Sequence, residues 1–407
     1  MTTPELFIRY RFAWLAYAGL FVFAYLQVIL SPIMPFLREE LHISYTLGGL
    51  HATMFAAGSV IASFISPVLI RRFGRRHVFW WGITGMLIGA LLLASAPHVV
   101  FTLGSVLLMA IAGVSAMVII TAGLVDLYGS QSTIALSEAN VTASVGATIV
   151  PLLVGWLAAT GIGWRAAFGL PVLLLAVMLW TARHDPVPGD LPRAAARAAA
   201  SPSRRVRLPV AFWLFWMVLM LGVAVEWSVA LWAADLLIAA RGVAPETAAL
   251  LVSFFFGAML LGRIVGSRLA HHTASDQVLL LSLLVAGLGV PIFWLAPNLV
   301  LGLVGLVITG LGIGNFFPMG LSAAMGTVSE HTDVASAQAL LAGGVAMLFA
   351  PFLLGALADL IGIQGAFASV PVLVLVMLGM LGIARHQQGR RRRRAATPPV
   401  TYSEPVQ

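Results

Sequence analysis

Two acidic residues lie within long apolar stretches, where a charged side chain is unusual. Glu226 is near the centre of LGVAVEWSVALW, and Glu138 is near the start of the stretch 133–160. A charge at the middle of a membrane helix costs roughly 2.5–3.5 kcal/mol, so such residues require an explanation. A carboxyl group held out of water takes up a proton more readily. We therefore predict Glu226 and Glu138 as proton-coupling groups. The alternative for each is a structural ion pair.

Five further residues have side chains suited to a polar ligand. Amide groups both donate and accept hydrogen bonds, and an indole ring combines an apolar face with one donor. Gln338 also lies 200 residues after Glu138, as a neutral counterpart of that acid. Each amide could equally join two helices through a hydrogen bond worth about 0.6 kcal/mol. The candidate substrate-cavity residues are Gln27, Asn140, Trp232, Asn315 and Gln338.

The sequence gives no support for enzymatic or metal chemistry. It contains no His-Glu-x-x-His, Gly-x-Ser-x-Gly or Gly-x-x-x-x-Gly-Lys motif, and it has no cysteine. His271 and His272 are adjacent, but no acidic third ligand accompanies them, so we interpret them as loop residues. We predict no catalytic residue, no metal site and no cofactor.

The composition is that of a membrane protein. Hydrophobic residues make up 60% of the 407 residues and charged residues only 9%, and the mean hydropathy is +0.99. A soluble domain carries about 25% charged residues. All 23 basic residues are arginine, and the net charge is +8. We interpret this charge as an orientation signal at a lipid bilayer and not as nucleic-acid binding.

Twelve segments are long and apolar enough to cross a bilayer as helices, which takes roughly 20 residues each. They predict an all-α polytopic membrane protein with twelve transmembrane helices. The predicted spans are 12–34, 45–70, 77–96, 99–124, 133–160, 165–183, 209–238, 245–270, 277–296, 299–325, 333–360 and 365–385.

One polar stretch divides the chain into halves of similar length. It contains four prolines and five arginines, a composition typical of a linker. Residues 200 positions apart across it match without a gap, as in Pro151 and Pro351 or Gly155 and Gly355. This register indicates two parallel repeats of one six-helix unit. The predicted parts are a bundle at 1–183, a cytosolic linker at 184–208, a second bundle at 209–386 and a disordered basic cytosolic tail at 387–407.

Arginines are distributed unequally between the two ends of the spans. If both termini are cytosolic, that side has nineteen arginines and the opposite side has three, namely Arg38, Arg165 and Arg241. Cytoplasmic loops of membrane proteins carry an excess of positive charge. We therefore predict a protein of the inner (plasma) membrane with both termini in the cytosol.

The loop between the second and third spans reads PVLIRRFGRR, from Pro67 to Arg76. It resembles the signature loop of the major facilitator superfamily, Gly-x-Leu-Ala-Asp-Arg-x-Gly-Arg-Arg. Pro67 and Arg71 replace the glycine and the aspartate of that motif. A weaker second copy begins at Gly262 and Arg263. With the twelve spans, the linker and the repeat register, the resemblance covers nearly the whole chain. The residues that match the motif are Leu69, Arg72, Gly74, Arg75 and Arg76.

The resemblance implies a secondary active transporter, in which two six-helix bundles rock about a site at the bilayer midplane. It implies a monomer that carries a small-molecule substrate by symport or antiport, with protons as the coupling ion. It also implies helix kinks at Pro151 and Pro351. Met109 stands where proton-driven drug exporters of the superfamily have an arginine.

Two features of the second half look like the sugar-transporting branch of the superfamily. Glu226 precedes Trp232 by six residues, and the tenth span contains GNFFP, from Gly314 to Pro318. This likeness favours a neutral polar or sugar-like solute. The alternative is an exporter of drug-like amphipathic compounds by proton antiport.

The substitution at Arg71 leads to a hypothesis about gating. The resemblance implies that the aspartate of the motif docks on the amino end of the eleventh helix, where the helix dipole favours an anion. Here that helix begins with SEHTD, which contains Glu330 and Asp333. We call the pairing of Arg71 or Arg72 with Glu330 or Asp333 the charge-swapped latch; the alternative is that these acids only cap the helix. The predicted gating residues are Arg71, Arg72, Gly74, Arg75, Arg76, Arg263, Glu330 and Asp333.

Overall fold

A computed structural model describes residues 7–188, 208–328 and 332–396. Within these ranges the chain forms fourteen α-helices, two short 3-10 helices (Gly129–Gln131 and Trp164–Phe168) and no strand. The helices of the first half are α1 Arg11–Val28, α2 Leu30–Leu41, α3 Tyr45–Phe73, α4 Arg75–Ser95, α5 Val99–Tyr128, α6 Ser132–Ala159 and α7 Gly169–Ala182. Those of the second half are α8 Val210–Arg241, α9 Pro245–Ala270, α10 Ser275–Leu295, α11 Leu299–Ile313, α12 Phe316–Met325, α13 Thr332–Ala366 and α14 Ser369–Ala396.

Eleven helical stretches of the described chain are long and apolar enough to cross a membrane, and one of them, Val99–Ala159, contains both α5 and α6. Counted separately, these two helices bring the number of spans to twelve. Large apolar side chains on the outer surface are exposed, among them Trp180 at 80% and Leu360 at 81%. Hydrocarbon solvates such a surface, whereas water does not. The prediction of an all-α polytopic membrane protein is confirmed.

Two predicted spans are interrupted, and the helix of the eleventh span is kinked just beyond its predicted end. The first breaks at Ile29 into α1 and α2 and continues to Leu41, because Pro32 has no N–H group to donate to the carbonyl of Val28. The tenth breaks at Gly314 and Asn315 into α11 and α12. The eleventh helix ends its regular course at Gly362, whose φ of 78° and ψ of 156° are not helical. The prolines expected to kink two helices, Pro151 and Pro351, lie inside α6 and α13.

The two halves contact each other through helix pairs that the 200-residue register relates. α3 packs on α13, and α6 packs on α9. In the second pair, a Cβ atom on Gly155 would lie 2.6 Å from the carbonyl oxygen of Glu246. In the first, its register partner Gly355 packs equally closely on the backbone of Tyr45. In one contact the glycine belongs to the first half, and in the other it belongs to the second half. This repetition is expected of two pseudo-symmetric bundles.

The last helix is longer than the sequence predicts. α14 continues to Ala396, so residues 387–396 are helical and the predicted start of the disordered tail is wrong. Arginine, glutamine and alanine are good helix formers, which lets the helix continue past the apolar span. Residues 397–407 and the linker residues 189–207 lie outside the described part of the chain.

Candidate functional site

A cavity of about 740 Å³ lies between the two halves of the protein. Its walls come from α1, α2, α3 and α6 of the first half and from α8, α9, α12 and α13 of the second. Most of the lining side chains are apolar. The polar and charged ones are Gln27, Ser31, Ser137, Asn140, Ser144, Glu226, Arg263, Ser267 and Arg268.

The cavity opens toward the side that holds the loop between α3 and α4, which we call the arginine-rich side. Ser267 and Arg268 line it within the last turn of α9, and Ser137 lines it in the second turn of α6. Because the chain crosses once per span, α9 ends and α6 begins on the arginine-rich side. On the opposite side the two halves are in direct contact.

Glu226 and Arg263 form an ion pair in the wall of this cavity. Oε1 of Glu226 lies 3.5 Å from Nη2 of Arg263, and the side chains are 15% and 39% exposed. Charge-assisted hydrogen bonds are shorter, about 2.7–2.9 Å, so this pair is loose. Glu226 is the only carboxylate that lines the cavity in the part of the chain that the structure describes. Glu226, which the sequence predicts to lie within a membrane span, therefore lines the central cavity.

The break between α11 and α12 positions Arg263. Pro318 has no N–H group, so it cannot donate to the carbonyl of Gly314 four residues earlier. That carbonyl oxygen instead accepts a hydrogen bond from Nε of Arg263, at 3.2 Å. The GNFFP sequence thus acts through its backbone, by orienting the arginine.

Two of the predicted cavity residues, Gln27 and Asn140, line the cavity. Nδ2 of Asn140 donates to the carbonyl oxygen of Leu136 at 2.8 Å. The side-chain carbonyl oxygen of Asn140 takes no part in that bond. Gln27 is half-buried, and its amide has no hydrogen bond within the described chain. Both can therefore serve a ligand.

The other three residues predicted to line the cavity lie elsewhere in the structure. Trp232 is fully buried, and its Nε1 donates to the carbonyl oxygen of Pro351 at 3.0 Å. Asn315 is 5% exposed and donates to the carbonyl oxygen of Gly262 at 2.9 Å, between α9 and the α11–α12 break. Gln338 lies outside the cavity lining, and its backbone carbonyl accepts from the indole N–H of Trp216.

The second predicted proton site, Glu138, also lies outside the cavity. Its carboxylate binds both Nε of Arg9 (2.9 Å) and Nη2 of Arg9 (2.5 Å), and it accepts a hydrogen bond from the hydroxyl of Tyr17 at 2.8 Å. These residues border a shallow groove on the outer face between α1 and α6. A fully paired carboxylate in this place ties the start of α1 to α6 and does not line the central cavity.

The opposite side is closed by a buried ion pair between the halves. Nη1 of Arg38 lies 2.5 Å from Oδ1 of Asp235, and the side chain of Asp235 is only 3% exposed. The guanidinium carbon of Arg38 stands 3.3 Å from the ring centre of Tyr45, and that ring meets Trp232 edge-on at 5.6 Å. We call Arg38, Tyr45, Trp232 and Asp235 the far-side gate.

A second contact on the same side is made by Asp359. Its carboxylate accepts hydrogen bonds from the backbone N–H groups of Tyr45 and Thr46, both at 2.8 Å, and from the hydroxyl of Thr46 at 2.6 Å. An acid of α13 therefore caps the amino end of α3 in the other half, where the helix dipole favours negative charge.

These far-side contacts escape prediction from the sequence alone. Asp235 and Asp359 read as solvated helix ends because each lies within a few residues of a polar loop. Only Arg38 could have been singled out from the sequence. It is one of three arginines on the opposite side, where positive charge is uncommon, so an acidic partner is expected for it.

The amino-acid sequence matches the model of the Major Facilitator Superfamily over residues 16–273 and 221–403. The two matches overlap and together cover nearly all of the chain. The chain belongs to the major facilitator superfamily. It is accordingly a multi-pass membrane protein and a secondary transporter of small molecules, and not an enzyme.

Two superfamily relatives are similar in sequence. An uncharacterised MFS-type transporter of Yersinia pestis is 25% identical over 358 residues, which cover 85% of this chain and 89% of the relative. The uncharacterised MFS-type transporter YceJ of Bacillus subtilis is 31% identical over 84 residues, or 21% of this chain and 22% of the relative.

Solved structures of superfamily members share the fold. A bacterial homologue of the human lysosomal transporter Spinster, in an inward-facing and unoccupied conformation, superposes with a TM-score of 0.73 and 13% identity, covering 93% of this chain and 98% of that chain. A D-xylose–proton symporter gives a TM-score of 0.70 and 16% identity, covering 90% and 96%. At these identities the likeness concerns the fold alone.

The signature loop of the superfamily is held against the first half of this chain. It turns at Gly74, whose φ of 81° favours glycine. Nη1 of Arg75 lies 2.5 Å from Oδ2 of Asp126 at the end of α5. Nη2 of Arg76 donates to the carbonyl oxygen of Arg183, at 3.0 Å. Two of the predicted gating arginines therefore fix the loop to α5 and to the end of α7.

The remaining gating residues stay predictions. Arg71 and Arg72 are exposed on the arginine-rich side, and the guanidinium carbon of Arg72 lies 5.3 Å from the ring centre of Phe73. Glu330 lies outside the described residues, and Asp333 is described only as part of α13. The charge-swapped latch belongs to a conformer in which the arginine-rich side is closed, which is the reverse of the arrangement here.

Proposed function

We propose that this transporter couples the movement of a small polar organic solute to protons, with Glu226 as the proton-binding group. The observation that carries the proposal is the Glu226–Arg263 pair, 3.5 Å apart in the wall of the central cavity. A carboxylate next to a fixed cation is reached by water from the open side and loses that access when the halves rearrange. Such a group can take up a proton on one side of the membrane and release it on the other.

Alternating access follows from the same geometry. The cavity is open on the arginine-rich side, and the far-side gate closes it on the other. Opening the gate and closing the charge-swapped latch would expose Glu226 to the opposite compartment. A solved D-xylose–proton symporter with the same fold supports proton coupling as one mode that this architecture permits.

The nature of the solute rests on fewer residues than the sequence suggested. Trp232 and Asn315 favoured a neutral, sugar-like solute, but both lie outside the cavity. Gln27 and Asn140 remain as donors and acceptors in the wall of the first half. The second candidate function, export of amphipathic compounds by proton antiport, is favoured by the aromatic lining at Trp227, Phe256 and Phe317.

Solute-dependent proton movement tests the proposal. Purified protein is reconstituted into vesicles that contain a pH-sensitive dye, and sugars, organic acids and amphipathic drugs are added in turn after a thermal-shift screen, since a bound ligand stabilises the folded protein. We expect at least one solute to change the internal pH in protein-containing vesicles and not in empty ones. A transported solute that moves no protons would contradict the coupling.

We further propose that both termini and the arginine-rich side face the cytosol, which makes the conformer described here inward-facing. The support is the arginine count, nineteen on one side against three on the other. A phosphatase reporter that is active only outside the cytosol should be silent when fused after Gln407 and active when inserted next to Pro297, between α10 and α11. The opposite pattern would reverse the orientation.

A further inference from the structure

The charged side chains that line the cavity all come from the second half of the protein. Glu226 lies on α8, and Arg263 and Arg268 lie on α9. The polar residues that the first half contributes to the described lining are neutral amides and hydroxyls, such as Gln27 and Asn140. With Glu226 ionised, the lining therefore carries one net positive charge. Largely apolar walls strengthen the field of such a charge inside the cavity.

The guanidinium group of Arg263 has hydrogen-bond donors available on its cavity side. It carries five N–H donors, of which Nε–H is engaged by the carbonyl oxygen of Gly314 at 3.2 Å. Nη2 lies 3.5 Å from Glu226, beyond the usual length of a charge-assisted bond. No hydrogen bond within the described chain engages Nη1. The terminal nitrogens thus present the planar pair of donors that matches a carboxylate.

The remaining walls fit an apolar body next to such a charged group. Trp227 is adjacent to Glu226 in sequence, and Met259 and Phe256 lie one and two turns before Arg263 on α9. Phe317 faces the same cavity from α12. A ligand held at Arg263 by a charged head therefore meets aromatic and thioether surfaces with the rest of its volume.

We propose that Arg263 binds the carboxylate of a small anionic organic substrate with an apolar body, and that this substrate replaces Glu226 as the partner of Arg263. The inference rests on the proposed function, since it gives the proton on Glu226 its role. When Glu226 is protonated, Arg263 loses its counter-charge, and a cation in a largely apolar cavity is less favourable without a partner. The substrate carboxylate restores the pair. Proton and anion therefore bind together, as a symporter requires.

The charges balance through this exchange. Before binding, the lining has one carboxylate and two guanidinium groups. After binding, the proton neutralises Glu226 and the substrate supplies the carboxylate, so the net charge of the occupied cavity is unchanged. The charged groups that line the cavity together with Glu226 are Arg263 and Arg268. The first-half helices packed around it contribute only neutral groups to the described lining.

Matched pairs of carboxylates and neutral amides test the proposal. The probes are benzoate and benzamide, indoleacetate and indoleacetamide, and octanoate and octanamide, titrated into detergent-solubilised full-length protein with thermal stability as the readout. We expect at least one carboxylate to bind clearly more tightly than its amide, and more tightly at mildly acidic pH than at mildly alkaline pH. Amides that bind as well as every carboxylate would overturn the proposal.

Substitutions then assign the binding to Arg263. Because a hydrogen bond to a charged group is worth a tenfold or greater change in affinity, Arg263→Gln should weaken binding of the carboxylate about 10- to 100-fold. Arg268→Gln, which removes an equal charge near the cavity mouth, should have a much smaller effect. Arg263→Lys keeps the charge without the planar pair of donors and should give an intermediate affinity. It therefore tests the same contact if Arg263→Gln folds poorly. Glu226→Gln should raise the affinity and remove its pH dependence.

Two results separate this inference from the proposed function. If a neutral solute drives proton movement while no carboxylate binds more tightly than its amide, proton coupling stands and the anion site does not exist. If carboxylates bind through Arg263 but move no protons in vesicles, the site stands and the coupling fails. An affinity that follows Arg268 and not Arg263 would also refute the assignment.

Discussion

Glu226→Gln is expected to abolish accumulation of the substrate against a pH gradient. Glutamine has nearly the same shape as protonated glutamate, but it cannot release a proton. One proton per substrate supports about tenfold accumulation for each unit of pH difference, so the variant should fall from that ratio to equal concentrations on both sides. Exchange of labelled for unlabelled substrate at equal pH should continue, because the halves can still rearrange. Uptake measured under a pH gradient tests the loss of accumulation, and exchange measured on the same vesicles tests whether the halves still rearrange.

Glu138→Gln is the matched control for this experiment. It makes the same chemical change in the other acid predicted for proton coupling, whose carboxylate is paired with Arg9 and Tyr17 outside the cavity. We expect gradient-driven accumulation to be retained in Glu138→Gln. If Glu226→Gln accumulates substrate normally and Glu138→Gln does not, the proton site has been assigned to the wrong residue.

Gly49→Val should stop transport by preventing closure of the opposite side. A Cβ atom on Gly49 would lie 2.6 Å from the carbonyl oxygen of Pro351 and 2.8 Å from Cα of Phe352. Both are backbone atoms of α13 in the other half, so they cannot move aside as a flexible side chain does. Overpacking costs roughly 1–3 kcal/mol, which changes a two-state population about 5- to 150-fold. The variant should therefore favour conformers in which α3 and α13 are apart.

Gly104→Val is a suitable control for this steric effect. Gly104 lies in the second turn of α5, near the same side of the protein, and no atom lies within 4 Å of a Cβ placed on it. Because the chain has no cysteine, one cysteine at Ser144 in the cavity wall reports access without background. With Gly49→Val, an impermeant thiol reagent should gain access from the opposite side; with Gly104→Val it should not. Normal transport by Gly49→Val would show that the closed arrangement of α3 on α13 is not part of the cycle.

The spans follow from the sequence for a simple physical reason. Inside a bilayer every backbone N–H and C=O group must be satisfied within the segment, so an apolar run of sufficient length must be a helix. Length and composition are therefore enough, and tertiary contacts play no part. The register that relates Pro151 and Gly155 to their partners 200 residues later likewise indicates a repeat from the order of residue types alone. The predicted end of the first span, at residue 34, was less accurate, because the chain continues as a helix past the break to Leu41.

Glu226 could be predicted as a site residue because the free-energy cost of a charge inside an apolar span can be recognised from the sequence of that span alone. A carboxylate within an apolar span needs a partner or a function wherever the helix happens to face. Its partner could not be predicted. Arg263 read as part of a gating motif, and only the packing of α8 against α9 brings it to 3.5 Å from Glu226.

The orientation of each helix about its own axis was decided by the tertiary structure. In a soluble protein the polar face of a helix marks the surface, but lipid is as apolar as the protein interior, so hydropathy does not distinguish a lipid-facing side chain from a cavity-facing or buried one. Trp232 and Asn315 were therefore assigned to the cavity although both are buried elsewhere. For the same reason the pairing of Arg38 with Asp235, 197 residues apart, has no trace in the pattern of apolar residues. Sequence determines which segments cross the membrane, whereas close packing between the two halves determines which side chains meet.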